Sequence, residues 1–314
     1  NTQLYIILMG SNVSLMENEV ANKKSPLYRR RTFAHKLCQM SFSEPLLFLR
    51  DFTDVDKFNC LSFFGFSPYY LALLNPKKSF EQNVKSLIFS QGATLLDAPD
   101  IILSNGTREK GIYNTILLSL ARGRKTPTEI ANDIEMEANE VSKYLKTLTE
   151  EEIVTKQIMF NSQRKIIYRI SDNVLEFFYK YLSDDVERIR IGFGSDVFEE
   201  KSESIHDFIC RKFESTCLHF MEEQSLLGLL SHPYYPITNL TIDNSELGRS
   251  IELDGISQYQ KSLLVIECKY REGKRGINDY LDMKNDVSIK MFSQIENKEF
   301  YLFSKSGFDT KLKE

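Results

Sequence analysis

Residues 249–271, RSIELDGISQYQKSLLVIECKYR, decide how this chain is read. Ile251 and Leu253 lead into Asp254, and the run Leu263, Leu264, Val265 and Ile266 leads into Glu267 and Lys269. Apolar residues in alternation, or in a continuous run of strand length, predict two β-strands. The polar segment Gly255–Lys261 reads as the short loop joining them. Pairing of the strands then brings the Asp254 and Glu267 carboxylates together. Side chains alternate along a strand, so Glu267 and Lys269 share one face and Cys268 takes the other. Two hard oxygen donors beside an ammonium suit Mg2+ and phosphodiester hydrolysis: the metal polarises the phosphate and lowers the pKa of bound water. Lys269 orients that water or stabilises the developing charge. A solvated strand face in a chain with 27% charged residues is the competing reading of the same letters.

A helix before these strands offers a further acid. In SIHDFICRKFESTCLHFMEEQ, residues 204–224, Ile209, Phe213, Cys217 and Phe220 recur at helical spacing and place Glu214 at the border of the apolar face. A carboxylate there wants a partner.

Composition bounds the rest. The 314 residues suffice for two or three domains with sizeable cores, and 42% hydrophobic residues are ordinary for a globular protein. A formal net charge of -4 gives no global attraction to nucleic acid, so any such contact rests on a local patch. Cys38, Cys60, Cys210, Cys217 and Cys268 form no C-x-x-C pair, and His35, His206, His219 and His232 form no close metal pair. Reduced thiols in a cytoplasmic protein are expected, with neither structural zinc nor a disulfide framework. No apolar run is long enough to span a bilayer and no signal peptide is seen, so no membrane partner is expected.

The middle of the chain reads as a winged helix-turn-helix. Ile112, Ile116, Leu117 and Leu120 mark a first helix that stops at Gly123. Thr126-Pro127-Thr128-Glu129 is a capping box with Pro at the first helical position, opening a short helix to about Ile134. Val141, Leu145 and Leu148 supply the stripe of a third helix, and Ile153–Phe160 and Arg164–Ile170 flank a wing turn. On DNA, the third helix would present Asn139, Ser142, Lys143 and Lys146 to the groove, with Arg164 and Lys165 of the wing on phosphates. Glu135, Glu137, Glu140 and the run Glu150–Glu152 offset these cations, which leaves a domain-connecting or protein-binding role equally open.

The order Asp254, then Glu267-Cys268-Lys269, resembles the PD-(D/E)XK nuclease superfamily, in which many members add a Glu from a preceding helix, here Glu214. The other end of the chain resembles a second family. LYIILMGSNVSLMENEVANKKSPLYRRRT, residues 4–32, is similar to the second half of the nucleotide-binding domain of the archaeal-type AAA-like ATPases. There a buried strand, here Leu4–Met9, ends in a phosphate-sensing polar residue, which the resemblance places at Ser11. A P-L-Y-x-R-R-T motif follows at Pro26–Thr32, making Arg30 and Arg31 candidates for nucleotide or subunit contact. The lid turn of that family, G-G-x-P-x-Y-L, reads Gly65-Phe66-Ser67-Pro68-Tyr69-Tyr70-Leu71, with Phe66 at the second glycine. A winged helix follows the lid in the same family, and Tyr168–Phe178 resembles its next segment, where Asp172, Phe177 and Phe178 are expected to pack between domains. No G-x-x-x-x-G-K-[ST] occurs, so the phosphate cradle is missing and ATP hydrolysis is not expected of this chain. A strand of buried type so near Asn1 suggests that the chain begins within a domain.

Together the resemblances imply a multidomain α/β and α+β protein. Residues 1–90 would be a partial AAA-like domain with its helical lid, 91–172 the winged helix, and 173–314 a PD-(D/E)XK restriction-endonuclease-like domain. The function implied is a DNA-associated, Mg2+-dependent nuclease, with Asp254 and Glu267 as metal ligands, Lys269 as stabiliser and Glu214 as accessory acid. ATP would matter only where the missing nucleotide-binding half is supplied. Two alternatives stay open: a non-catalytic module binding DNA, a protein partner or a second copy, and an ATPase whose P-loop half lies outside this sequence.

Overall fold

The computed structural model describes residues 6–10, 22–26, 28, 30, 32–37, 39–103, 110–160, 166–244 and 248–313. It is a mixed α/β structure with two sheets and a winged helix-turn-helix. Before the winged helix comes a bundle of short helices. Thr53 caps α1 (Asp54–Phe64) by accepting from the Asp56 amide, and Gly65 ends it at φ 68, a left-handed value that glycine takes without strain. A Ser79–Gln82 capping box starts α2 (Phe80–Ile88).

The winged helix consists of α3 (Lys110–Ala121), α4 (Pro127–Ile134), α5 (Ala138–Glu150) and the antiparallel hairpin β1 (Val154–Ile158) and β2 (Ile166–Ile170). The Thr126–Glu129 capping box forms as the sequence predicts, with Pro127 opening α4. Ile116, Leu117, Ile130, Val141, Leu145 and Val154 fill the core of this unit.

Asp172 then caps α6 (Asn173–Phe177), accepting from the Leu175 amide at 2.8 Å, and burial raises its carboxyl pKa. A π-helical turn, Phe178–Leu182, follows directly, and the stretch Ile189–Phe193 is kinked at Gly192, φ 104. Phe177 packs in the core of the helical bundle, while Phe178 lies against both that core and the winged-helix core. At Gly194 the chain crosses α2 so closely that a Cβ would stand 1.6 Å from the Phe89 carbonyl oxygen, so only glycine fits.

The long helix α7 (Ser202–Leu226) spans 25 residues, about 38 Å. Ile205, Phe208 and Ile209 on its first turns enter the bundle core, whereas Phe213, Cys217 and Met221 cover the second sheet. That sheet runs β3 (Thr238–Asn244), β4 (Arg249–Tyr259), β5 (Ser262–Lys269) and β6 (Asn297–Ser304) in spatial order. The first three strands are antiparallel neighbours, and β6 runs parallel to β5 after a crossover through α8 (Ile277–Asp286). Helix α7 lies on one face and α8 on the other, each over its own apolar cluster.

Two expectations are corrected. Residues 255–261 are not a loop: β4 continues through Tyr259, pairing Gly255–Tyr259 with Ser262–Ile266, and only Gln260 and Lys261 turn the chain. The polar letters misled because Ile256 and Ser257 are buried inside the sheet. Residues 6–10, the described part of the strand expected at 4–9, join no strand; Ile6 and Ile7 are each 67% exposed. A buried-type strand needs neighbours to satisfy its backbone, and none of the described segments pairs with this one.

Phe63 lies at the centre of the bundle core, 4.8 Å from the Phe177 ring and 5.6 Å from Phe208, with no exposed surface. Phe63→Ala is expected to cost about 3–5 kcal/mol of stability, read as a lowered urea midpoint with an unchanged slope.

Candidate functional site

The strand carrying Asp254 is irregular at that residue. Between the pairs Leu240↔Leu253 and Thr238↔Ile256, β3 advances by two residues and β4 by three, so β4 carries a bulge containing Asp254 and Gly255. The extra residue explains why Leu253 and Ile256, three apart, both enter the α8-side core. It also turns Gly255 toward α7, where a Cβ would come within 2.4 Å of the Leu218 side chain and 3.0 Å of Ile266. Asp254 is therefore a mid-strand residue re-aimed by a bulge, not the end of a strand. One of its oxygens accepts from the Cys268 amide at 2.7 Å, tying it to β5.

On β5, Leu263 and Val265 face α8 while Leu264, Ile266 and Cys268 face α7. Glu267 and Lys269 follow the α8-facing row, as strand alternation requires. They form an ion pair with each other. Glu214 comes from α7 in the opposite layer. The structure thus brings Asp254, Glu267, Lys269 and Glu214 to one end of the sheet.

Their electrostatics are those of an under-compensated acidic site. Burial, then the Asp254 and Glu267 charges, push the Glu214 carboxyl up to about 7. Burial and the Asp254 charge push Glu267 up to about 7 as well, with Lys269 opposing. Asp254 is also raised by burial, partly offset by the Cys268 amide. For Lys269, burial works against the charged form, but the hydrogen bond and charge of Glu267 outweigh it, and the pKa lies above the ordinary lysine value. One ammonium thus stands among three carboxylates, and the Arg211 and Arg169 charges reach Glu214 as further, weaker compensation. The donors are hard oxygens of the kind a divalent cation takes, and such a cation would relieve the repulsion. Among the described residues no three His, Cys, Asp or Glu side chains converge on one metal-sized point, so at most two of these carboxylates could be direct ligands.

The winged-helix surface is built separately. Val141, Leu145 and Leu148 are buried, which leaves Asn139, Ser142, Lys143 and Lys146 exposed on the outer face of α5. Lys146 pairs with Glu150 one turn on at 3.7 Å, and the Ser142 hydroxyl donates to the Ala138 carbonyl. Arg164 and Lys165 lie outside the described residues, as do Ser11 and Arg31; Arg30 sits in an exposed turn. The sequence held no sign of how the wing meets the sheet. The Phe160 ring packs against Phe292, and Arg169 of β2 donates to the Asn239 side chain at 3.2 Å. Burial depresses the Arg169 pKa, with the Glu176 and Glu214 charges opposing.

Residues 114–156 match the bacterial regulatory protein, arsR family, a stretch running from α3 into the wing. The chain thus carries an arsR-type winged helix-turn-helix domain, the kind of domain that associates with DNA. An uncharacterized protein of Methanocaldococcus jannaschii is 26% identical over 281 residues, covering 87% of this chain and 61% of the relative. The chain spans about three-fifths of the length of that curated relative. No solved structure matches. No helix among the described residues is long and apolar enough to cross a membrane.

Glu214 carries a folded pKa of about 7 against an ordinary 4.5, so the folded state holds its proton more tightly. Its contribution to stability is complete below about pH 4.5 and is lost as pH rises through about 7. In metal-free buffer, Glu214→Gln should gain stability relative to the parent across that interval, measured as the difference in urea midpoint against pH. A constant difference would show that the raised pKa is absent.

Proposed function

We propose that this chain is a DNA-associated protein whose winged helix holds the duplex and whose C-terminal sheet carries an Mg2+-dependent phosphodiester-cleaving centre of the PD-(D/E)XK kind. The observation that carries this is the bulge-directed Asp254 set beside the Glu267–Lys269 pair, with Glu214 reaching the same charge cluster from the preceding helix. Bound Mg2+ would supply Lewis acidity and a more acidic water. Asp254 and Glu267 are the residues to hold it, since Mg2+ takes one or two carboxylates and completes its shell with water and phosphate oxygens. Lys269 would orient the attacking water or meet negative charge on the phosphate. Glu214, already near neutrality, is suited to accept or return a proton at about pH 7.

The descent of residues 1–90 from an AAA-like ATPase is supported by the Pro26–Thr32 and Gly65–Leu71 motifs. ATP enters this proposal only for a form that supplies a P-loop. A second reading, a non-catalytic DNA- or protein-binding module, is favoured by the ion pair that occupies Glu267 and by the lack of a three-ligand cluster among the described residues.

The purified chain with Mg2+ or Mn2+ should nick or cut DNA, and Lys269→Ala should lower the rate by about a hundredfold or more while leaving DNA affinity intact. Salt-sensitive binding with no cleavage under either ion would leave the non-catalytic module standing. For the winged helix, Lys143→Ala with Lys146→Ala should weaken DNA binding uniformly across sequences and flatten the log K against log salt slope by about 2, measured by fluorescence anisotropy.

A further inference from the structure

A cavity of about 440 Å3 opens between α3 of the winged helix and the segment after α6, away from the acidic centre and from the outer face of α5. Its volume falls in the range of small-molecule sites. The π-helical turn Phe178–Leu182 gives Phe178 and Tyr179 to its wall, and Arg190 comes from the stretch kinked at Gly192. Such turns widen a helix at a cost in hydrogen-bond geometry and are frequent at functional sites. Neither DNA contact nor phosphodiester chemistry makes use of them here.

The charges of the wall choose the ligand. Arg190 is the cation in the lining, and it is already held by Asp97 and Glu187, each at 2.7 Å. Asp100 is held by Lys110 at 2.5 Å. Asp184, on the rim, meets only the Ser183 hydroxyl at 3.5 Å and has no cationic partner among the described residues. Four carboxylates thus stand against two cations, a local excess of two negative charges. That excess repels anions. A bare metal ion is not suited either, because no three acidic, His or Cys side chains converge among the described residues and half of the wall is apolar. Leu118, Val186 and the rings of Phe178 and Tyr179 reward a ligand with methylenes, and aromatic faces also attract ammonium groups. The Tyr179 hydroxyl is spent on Asn114, so those rings present mainly their faces.

We propose that this cavity binds an aliphatic polyamine, its methylenes against the apolar wall and its ammonium groups at Asp184 and the neighbouring carboxylates. The site adjoins the first helix of the winged-helix domain and is independent of the cleavage reading.

Calorimetric titration of the full chain with spermidine at constant ionic strength tests this. One site per chain is expected, with a rise in melting temperature. Thr115→Trp, which fills the cavity from an exposed position, and Asp184→Asn, which removes the unpaired charge, should each weaken binding by about tenfold or more. Both positions are exposed, so the melting temperature without ligand should stay unchanged and serves as the control for folding. Equal affinity in the parent and both variants would overturn the site. So would a spermidine-induced melting shift as large in Asp184→Asn and Thr115→Trp as in the parent, which would mark diffuse screening.

Discussion

Three phenylalanine rings from three distant parts of the chain hold this structure together. Phe63 belongs to the helical bundle, Phe177 to the segment leaving the winged helix, and Phe208 to the helix that enters the sheet. Their centroids lie 4.8 to 5.6 Å apart, within the range where edge-to-face aromatic contacts add to simple burial. Because Phe208 and Phe213 sit on one continuous helix, the packing that fixes the bundle also sets the direction of α7 over the sheet. Glu214, next to Phe213, is therefore positioned by aromatic packing on its own helix. Its neighbour Phe213 anchors the sheet side, so the acid sits where the two cores hand over the helix.

The acidic centre depends on a different device. A regular strand would alternate Leu253, Asp254, Gly255 and Ile256 strictly between faces, and Leu253 and Ile256 could not share one core. The extra residue in β4 resolves that conflict and presents Asp254 to the Cys268 amide, beside Glu267. Glycine at 255 leaves room for the Leu218 side chain that α7 lays over the bulge. Carboxylate repulsion at the site is thus maintained by packing on both faces of the sheet, which is how a fold can keep buried acids together without matching each with a cation.

Much of this was legible in the residues. Capping signals locate the start of α4, because the Thr126–Glu129 box and Pro127 act through local geometry. The apolar run 263–266 and the E-x-K alternation depend only on strand period, and both appear in β5. What was not legible depended on long-range packing. The length of β4 was hidden by Gly255, Ser257 and Gln258, which look like turn residues and are held in a sheet by pairing with β5. The bulge has no local code, being the compromise between two cores. The contact of Arg169 with Asn239 joins positions 70 apart with no shared pattern. Ile6–Met9 shows the converse, since strand propensity without partners leaves apolar side chains exposed.

The long helix has a bearing on how such a chain can be inherited or taken apart. Its first turns, through Ile209, complete one core and its later turns, from Phe213, complete the other, so a single unbroken helix couples the two. The sheet cannot be lifted out as a portable module without carrying a strip of exposed phenylalanines, and the bundle cannot be shortened without uncovering the sheet. Recombination between relatives that parts α7 from either of its two cores would therefore be selected against.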